Sequence, residues 1–206
     1  MDKIDVIIIG AGIAGVTTAY YLQKNFPNIS YKIIESRSSL GGTWDQMQFP
    51  GVRADNDMYT YGFSFNPWQG PIIGKGQHIK KYINDTAEKF NIKKHILFDT
   101  QVTSSSWKNN QWITKTSRKN FTSQYIICCT GSRDRKNPHL PKFKNENKYQ
   151  GKIVHTQAWG DTDYKNKNVT IIGSGCTAIT MAPSIIKEAK TVTLVQRSPA
   201  WIINID

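Results

Sequence analysis

The chain has 206 residues, of which 38% are hydrophobic, and its 27 Lys and Arg against 15 Asp and Glu give a formal net charge of +12. This length and apolar content suit one or two folded domains and exclude a disordered tail. The basic residues are scattered and the apolar stretches are short, so we expect no nucleic-acid partner and no transmembrane segment.

The first predicted elements form a βαβ unit. Residues 5–9 are a continuous β-branched run, and residues 14–24 are compatible with a helix. Pro27 breaks the helical pattern before a second apolar run over residues 31–34. This order of strand, helix and strand predicts a parallel pair of strands joined by a helical crossover.

The middle of the chain is predicted to hold one helix and four strands. Residues 77–90 place apolar side chains along one helical face, whereas residues 96–98, 102–107, 112–116 and 121–130 follow strand patterns. Asn109 and Asn110 lie between two of these runs and predict a hairpin turn.

The end of the chain repeats the opening pattern. Residues 137–148 contain two prolines among polar residues and predict an interdomain connection. Residues 169–172 then begin a second series of strand, turn, helix and strand, which ends with the strand 191–196. We therefore expect an α/β fold with two Rossmann-like domains. The first covers residues 1–140, a linker covers residues 141–165, and the incomplete second domain covers residues 166–206.

The three cysteines, Cys128, Cys129 and Cys176, have no disulfide-framework or metal-binding spacing. Reduced thiols are the expectation, which favours a cytoplasmic location. No metal site is predicted.

A dinucleotide fingerprint follows the first strand. Gly10, Gly12 and Gly15 permit a tight turn, a close approach of pyrophosphate and close packing of helix on strand. The helix N-terminus offers N–H groups to the anion. Glu35 ends the second strand about 20 residues after Gly15. At this position an acid accepts hydrogen bonds from the ribose hydroxyls of the cofactor and repels a 2′-phosphate. This combination favours FAD or NAD over NADP.

A second fingerprint, GSGCTA, has Gly173, Gly175 and Ala178 at the corresponding positions. The strand after it delivers Arg197 where the first unit has an acid. An arginine fork matches a 2′-phosphate, with Ser198 as a further donor, so this unit favours NADPH. The alternative is that Arg197 is a solvated charge at a strand end. An FAD-type and an NADPH-type site in one chain predict hydride transfer from nicotinamide to flavin.

With these motifs the whole chain resembles the class B flavoprotein monooxygenases, the family of the Baeyer–Villiger enzymes and the flavin-containing monooxygenases. The resemblance is strongest to the Baeyer–Villiger subgroup that includes the ethionamide-activating enzyme. It is carried by the stretches GGTW (41–44), FPGVRADNDMYTYGFSFNPW (49–68), HTQAW (155–159), GSGCTA (173–178) and QRSP (196–199).

The family fingerprint FxGxxxHxxxW, followed by Pro or Asp, is matched in spacing by Tyr149, Gly151, His155 and Trp159. Tyr149 replaces the usual Phe, and Gly160 stands where Pro or Asp is expected. The family gives this His a role in coupling the domains. Considered alone, a histidine such as His155 is more often a linker histidine with satisfied hydrogen bonds than a catalytic base.

The resemblance also implies which residues contact the cofactors. For FAD these are Gly10, Gly12, Ala14, Gly15, Glu35, Thr43, Trp44, Asp45, Gln46, Asp55 and Val102. For NADP they are Arg53, Ala54, Asp55, Gly173, Ser174, Gly175, Cys176, Thr177, Ala178, Ile179, Arg197 and Ser198.

Two parts of this assignment have structural alternatives. Asp55 would orient a catalytic arginine near the flavin, yet beside Asn56 and Asp57 it is also a plausible turn aspartate. The aromatic residues of positions 49–68 would wall the flavin, yet their alternation fits core packing equally well.

The activity implied by the resemblance is oxygenation of a small-molecule ketone or heteroatom by O2 through a C4a-peroxyflavin. The family's catalytic arginine and substrate pocket lie beyond the residues present, so a second polypeptide supplying the missing half is one expected partner. Two alternatives stay open: a flavin-containing monooxygenase acting on nitrogen or sulfur, and a non-catalytic product of a split gene.

Overall fold

The computed structural model describes residues 1–131, 138 and 140–202. The chain divides into two compact units. Unit 1 comprises residues 1–46, 59–70 and 77–132, and unit 2 comprises residues 47–58, 71–76 and 133–206. Part of the predicted connection, residues 137 and 139, lies outside the described residues, as do residues 203–206. The predicted domain boundaries stay a prediction.

Unit 1 is built on a six-stranded mixed sheet. Its strands are β1 (Asp2–Ile9), β2 (Tyr31–Ile34), β3 (Ile96–Leu97), β4 (Val102–Lys108), β5 (Gln111–Thr116) and β6 (Phe121–Cys128). Their order is β3-β2-β1-β6-β5-β4. The strands β3, β2, β1 and β6 are parallel, and β4, β5 and β6 form an antiparallel meander.

The centre of this sheet is β1, whose residues Val6, Ile7 and Ile8 are almost completely buried. Their burial is what a parallel strand covered on both faces requires. The strand begins at Asp2 rather than at residue 5, because residues 2–4 pair with Phe121–Ser123 of β6. That pairing involves residues about 120 positions apart and has no signature in the local sequence.

The helices are α1 (Ile13–Asn25), α2 (Thr43–Gln46), α3 (Met58–Tyr61) and α4 (Gly76–Lys89), followed by α5 (Cys176–Ile185). Short 3₁₀ turns occupy Lys93–His95, Glu146–Lys148 and Thr156–Ala158. As predicted from helical spacing, α4 buries Ile79, Ile83 and Ala87 along one side. The one-turn helices α2 and α3 were not predicted, since four residues are too few to show a period.

The hairpin between β4 and β5 turns at Asn109 and Asn110, with φ angles of 51° and 56°. Two consecutive positive φ values define the primed turn that matches the twist of a two-residue hairpin, and asparagine tolerates this conformation. Trp107 and Trp112 lie opposite each other beside the turn, with ring centroids 5.6 Å apart. The predicted turn is therefore present.

Unit 2 contains the parallel strands β7 (Asn168–Ile172) and β8 (Thr191–Val195), joined through α5. Its buried cluster unites Ile171, Ala178, Met181 and Ile185 with Met47 and Phe49. The structure thus confirms the α/β fold with a second strand, turn, helix and strand. Among the described residues, no helix combines the length and apolar character that crossing a bilayer demands.

Candidate functional site

The first glycine loop, between β1 and α1, contains two glycines that the protein's own packing requires. Gly10 has φ 105°, and a Cβ added there would lie 2.4 Å from the carbonyl oxygen of Cys129. A Cβ on Gly15 would lie 2.0 Å from the carbonyl oxygen of Gly10. Both positions are therefore restricted to glycine by backbone conformation or contact.

Gly12 differs from its neighbours in the loop. Its backbone is extended, with φ −81°, and the nearest atom to an added Cβ is Gly42 Cα at 3.5 Å, an ordinary contact. Protein packing therefore gives no reason for glycine at this position. The N-terminus of α1, which lacks a side-chain cap, begins at the next residue. Open space beside free helix N–H groups is the geometry that a pyrophosphate requires.

Glu35, which follows β2, is only 2% exposed. Its Oε2 accepts the backbone N–H of Ala11 at 2.7 Å, and its Oε1 accepts the N–H of Arg37 at 2.9 Å and the hydroxyl of Ser36 at 3.3 Å. A carboxylate accepts about four hydrogen bonds, so these donors, within the described part of the chain, leave acceptor capacity. The acid is thus hydrogen-bonded to the glycine loop.

The GGTW stretch lies against the same loop. The N–H of Gly41 donates to the carbonyl of Ala11 at 3.0 Å, and α2 follows directly. Trp44 is half-buried, and its indole N–H donates to the hydroxyl of Tyr61 at 3.3 Å. Thr43 is exposed and Gln46 is half-buried. The structure therefore places Gly41 and Gly42 of this stretch beside the first glycine loop, with Thr43, Trp44 and Gln46 directly after them.

Asp45, another predicted FAD contact, is only 5% exposed. Its carboxylate accepts Lys80 Nζ at 2.6 Å and the hydroxyl of Ser39 at 2.5 Å, and it also pairs with the guanidinium of Arg37. Burial opposes ionisation, but the hydrogen bonds from Lys80, Ser39 and Arg37 outweigh it and lower the pKa of Asp45. No local sequence pattern identifies these three partners.

Two further predicted FAD contacts lie farther along unit 1. Ala14 is exposed in the first turn of α1, and Val102 is half-buried at the start of β4. Val102 packs against the cluster of Ile7, Ile34 and Phe121. Its side chain can therefore offer only apolar contact.

The predicted residues Arg53, Ala54 and Asp55 belong to unit 2. Arg53 forms a β-bridge with Lys75, and the N–H of Ala54 donates to the carbonyl of Gly74 at 2.8 Å. The side chain of Ala54 is buried, whereas Arg53 and Asp55 are exposed. The segment is thus fixed through its backbone, with two charged side chains on its surface.

The second glycine loop follows β7. Gly173 has φ 119°, and a Cβ added at Gly173 or at Gly175 would meet no described atom within 4 Å. The N–H of Gly173 donates to the carbonyl of Val195 at 2.8 Å, and the hydroxyl of Ser174 donates to the carbonyl of Ser198 at 3.2 Å. The loop is therefore open, and the segment after β8 lies beside it.

The remaining NADP candidates surround this loop. Arg197 and Ser198 are exposed, Cys176 is exposed at the start of α5, and Thr177 and Ile179 are half-buried. Ala178 is buried in the core of unit 2. An alanine in the third fingerprint position is thus explained by close packing of the helix on the strand.

The fingerprint residues have mainly structural contacts. A Cβ on Gly151 would lie 2.3 Å from Tyr149 Cζ, so the aromatic ring covers the glycine. His155 Nδ1 accepts the N–H of Gln157 at 3.2 Å, which caps the 3₁₀ turn, and Trp159 packs against the core of unit 2. The capping bond supports the interpretation of His155 as a satisfied linker histidine.

The aromatic stretch of positions 49–68 is divided by the fold. Phe63, Phe65 and Trp68 pack with Tyr20, Tyr82 and Phe90 in unit 1, including a Tyr20–Phe65 stack at 3.7 Å. Phe49 belongs to the core of unit 2. These contacts support core packing as the role of the stretch. Within the described residues, no group of three or more His, Cys, Asp or Glu could hold a metal ion.

Comparison with known proteins extends this picture. The family described as pyridine nucleotide-disulphide oxidoreductase matches residues 4–205. The FAD-containing monooxygenase EthA of Mycobacterium tuberculosis is 40% identical over 98% of this chain. The probable FAD-binding monooxygenase AlmA of Acinetobacter baylyi is 38% identical over 100% of this chain. The chain spans only 43% of the length of either relative.

Solved structures show the same relationship. An oxidized steroid monooxygenase bound to NADP aligns with a TM-score of 0.85 and 28% sequence identity. The alignment covers 98% of this chain and 40% of the steroid monooxygenase chain. An OTEMO complex with FAD and NADP aligns with a TM-score of 0.82 and 27% sequence identity. The alignment covers 96% of this chain and 39% of the OTEMO chain. These findings confirm the resemblance to flavoprotein monooxygenases that the motifs indicated.

Proposed function

The chain belongs to the pyridine nucleotide-disulphide oxidoreductase family, and on that premise we propose that it is the FAD- and NADPH-binding part of a Baeyer–Villiger-type monooxygenase. One observation carries the proposal most directly. Gly12 has no packing reason to be glycine, and it lies in the same loop as Ala11, whose N–H is bound by the buried acid Glu35. A bound dinucleotide explains both the open space at Gly12 and the buried acid Glu35.

FAD is assigned to the first glycine loop because of the acid. A buried carboxylate beside the ribose accepts its hydroxyls and repels a 2′-phosphate, so this loop disfavours NADP. The α1 N-terminus and the open space at Gly12 receive the pyrophosphate. Thr43, Trp44 and Gln46 lie along the adjoining segment and stay the predicted contacts to the rest of FAD.

NADPH is assigned to the second glycine loop because of Arg197. This loop has the same open geometry, but an exposed arginine and serine follow its second strand in place of an acid. A guanidinium fork binds a 2′-phosphate through two parallel hydrogen bonds. Together the two cofactors supply hydride transfer and activation of O2, which is the chemistry that a monooxygenase requires.

The proposed substrate is a small-molecule ketone or heteroatom compound, with O2 as the second reactant. The chain spans 43% of the length of its curated relatives, and we propose that further polypeptide completes the oxygenation site. The exposed apolar side chains Ile172, Leu194 and Val195 on β7 and β8 support this view, since parallel sheets are normally covered on both faces. The free thiols suit a reducing cytoplasm.

The assignment of FAD is tested by titrating the purified chain with FAD and, separately, with FMN, while flavin fluorescence is recorded. FMN lacks the adenosine ribose that Glu35 is proposed to bind, so FAD should bind at least about tenfold more tightly. Equal affinity for the two flavins, or binding of neither, would contradict the proposal. Binding of neither would instead favour a non-catalytic product.

A further inference from the structure

We propose, on the basis of the FAD assignment above, that Asp45 is a positioning residue of the FAD site and does not itself bind the cofactor. Its buried carboxylate holds the loop after Glu35 against α2 and α4. Through these protein contacts, Asp45 fixes the position of the ribose-binding acid Glu35.

The carboxylate of Asp45 is engaged by donors of the protein itself. It receives charged donors from two segments, Arg37 in the loop after β2 and Lys80 in α4, in addition to the hydroxyl of Ser39. The guanidinium of Arg37 also donates to the backbone carbonyl of Asp45, at 3.4 Å. A buried carboxylate with this many donors is occupied by protein contacts and ties three segments together.

Arg37 connects the Asp45 carboxylate to Glu35. Arg37 uses its side chain on Asp45, while its backbone N–H donates to Glu35 Oε1 at 2.9 Å. Asp45 therefore holds the side chain of Arg37, while the backbone N–H of Arg37 orients the carboxylate of Glu35. Releasing the guanidinium frees the loop that supplies this N–H.

Gly41 packs closely against Asp45 and Lys80. A Cβ on Gly41 would lie 3.3 Å from both Asp45 Cβ and Lys80 Cγ, and the N–H of Gly41 donates to the carbonyl of Ala11. Ala11 is the residue whose own N–H binds Glu35 Oε2. Both backbone donors to the acid are thus linked to the Asp45 cluster, one through Arg37 and one through Gly41.

Hydrogen exchange of the chain without cofactor tests the positioning directly. In Asp45→Asn, the amides of Arg37 and Ala11 should exchange about tenfold faster than in the wild-type chain, since a charge-assisted hydrogen bond is lost. Asp85→Asn is the matched control, because it removes an equal charge from the exposed Lys81–Asp85 pair of α4. Unchanged protection of both amides in Asp45→Asn would overturn the proposal.

If Asp45→Asn fails to fold, Lys80→Gln provides the same test, because the Lys80 side chain is 38% exposed and its loss leaves Arg37 to balance Asp45. The same two amides should then exchange faster, to a smaller extent. Protection equal to that of the wild-type chain would again contradict the positioning role.

A double-mutant cycle on FAD affinity separates positioning from general stability. Asp45→Asn should weaken FAD binding about tenfold, whereas in the background of Glu35→Gln the same change should have little further effect. Additive losses would overturn the proposal, since a loop loosened in general would affect both backgrounds equally. If the wild-type chain does not bind FAD, the proposed function fails, while the exchange experiment still decides the role of Asp45.

Discussion

The backbone N–H of Ala11 donates to Oε2 of Glu35 at 2.7 Å, which joins the glycine loop after β1 to the acid at the end of β2. The two residues lie 24 positions apart and come together because β1 and β2 are adjacent parallel strands. Ligands of open α/β sheets bind at the carboxyl ends of such strands.

Replacing Glu35 by Gln should weaken FAD binding by about tenfold to a hundredfold, the value of a hydrogen bond to a charged group. The amide keeps the side-chain shape but loses one acceptor oxygen and the negative charge. Fluorescence titration with FAD measures the effect. Glu88→Gln is the control, because Glu88 is an exposed acid of α4 paired only at the surface with Lys93. Equal affinities for the two variants would refute the role of Glu35.

Gly12→Ala should impair FAD binding with little effect on stability, whereas Gly15→Ala should impair stability. An alanine at position 12 meets only an ordinary contact at 3.5 Å, so the free energy of unfolding should fall by about 1 kcal/mol or less. FAD binding should nevertheless be lost, because the added methyl group fills the space proposed for the pyrophosphate.

At position 15 the added Cβ would lie 2.0 Å from a backbone oxygen, so Gly15→Ala should destabilise the chain by about 3 kcal/mol or more. Urea unfolding and FAD titration of both variants provide the measurement. Normal FAD binding by Gly12→Ala would contradict the proposed pyrophosphate site.

Arg197→Gln should remove the preference for a 2′-phosphate without changing stability, because Arg197 is exposed. We expect the affinity for 2′,5′-ADP to fall about tenfold or more, while that for 5′-AMP stays constant. Isothermal titration calorimetry measures both. Arg118→Gln, in the exposed turn between β5 and β6, controls for net charge. An unchanged affinity for 2′,5′-ADP would support the solvated-charge alternative, and equal loss of both ligands would show that Arg197 does not discriminate the 2′-phosphate.

Alkaline pH should destabilise unit 1 through Tyr31. Burial raises the pKa of this phenol to about 12, although Gln23 donates a hydrogen bond to its oxygen. Below pH 10 both states keep the proton, so the stabilisation is complete. Between pH 10 and about 12 only the unfolded state releases the proton, so up to about 2 to 3 kcal/mol is lost.

Urea unfolding of wild type and Tyr31→Phe between pH 9 and pH 11.5 tests this expectation. The phenylalanine variant should lose less stability over the range, because position 31 no longer titrates. A parallel decrease in the two proteins would show that other groups control the alkaline transition.

The sequence predicted the parts of the site that have a local signature. Both glycine loops, the acid Glu35 and the Asn109–Asn110 turn follow from short motifs whose spacing reflects backbone conformation. The strands and long helices follow from hydrophobic periodicity. All of these lie where the structure places the corresponding elements, with differences of a few residues at the ends.

The contacts around Asp45 could not be predicted, because they depend on tertiary packing. Lys80 lies 35 positions away on another helix, and one lysine among many gives no signal that it neutralises a buried acid. The separation of Phe49 from Phe63 and Phe65 has the same origin. Alternating aromatic residues indicate burial, but not the cluster in which each residue is buried.

We propose that this chain binds FAD at the first glycine loop and NADPH at the second, and that hydride passes from NADPH to the flavin. The most direct test is to load the purified chain with FAD and follow its flavin absorption anaerobically after adding NADPH or NADH. We expect the flavin to stay bound and to be bleached faster by NADPH than by NADH. A colourless protein, or bleaching at equal rates by the two nucleotides, would contradict the assignment of Glu35 to FAD or of Arg197 to NADPH respectively.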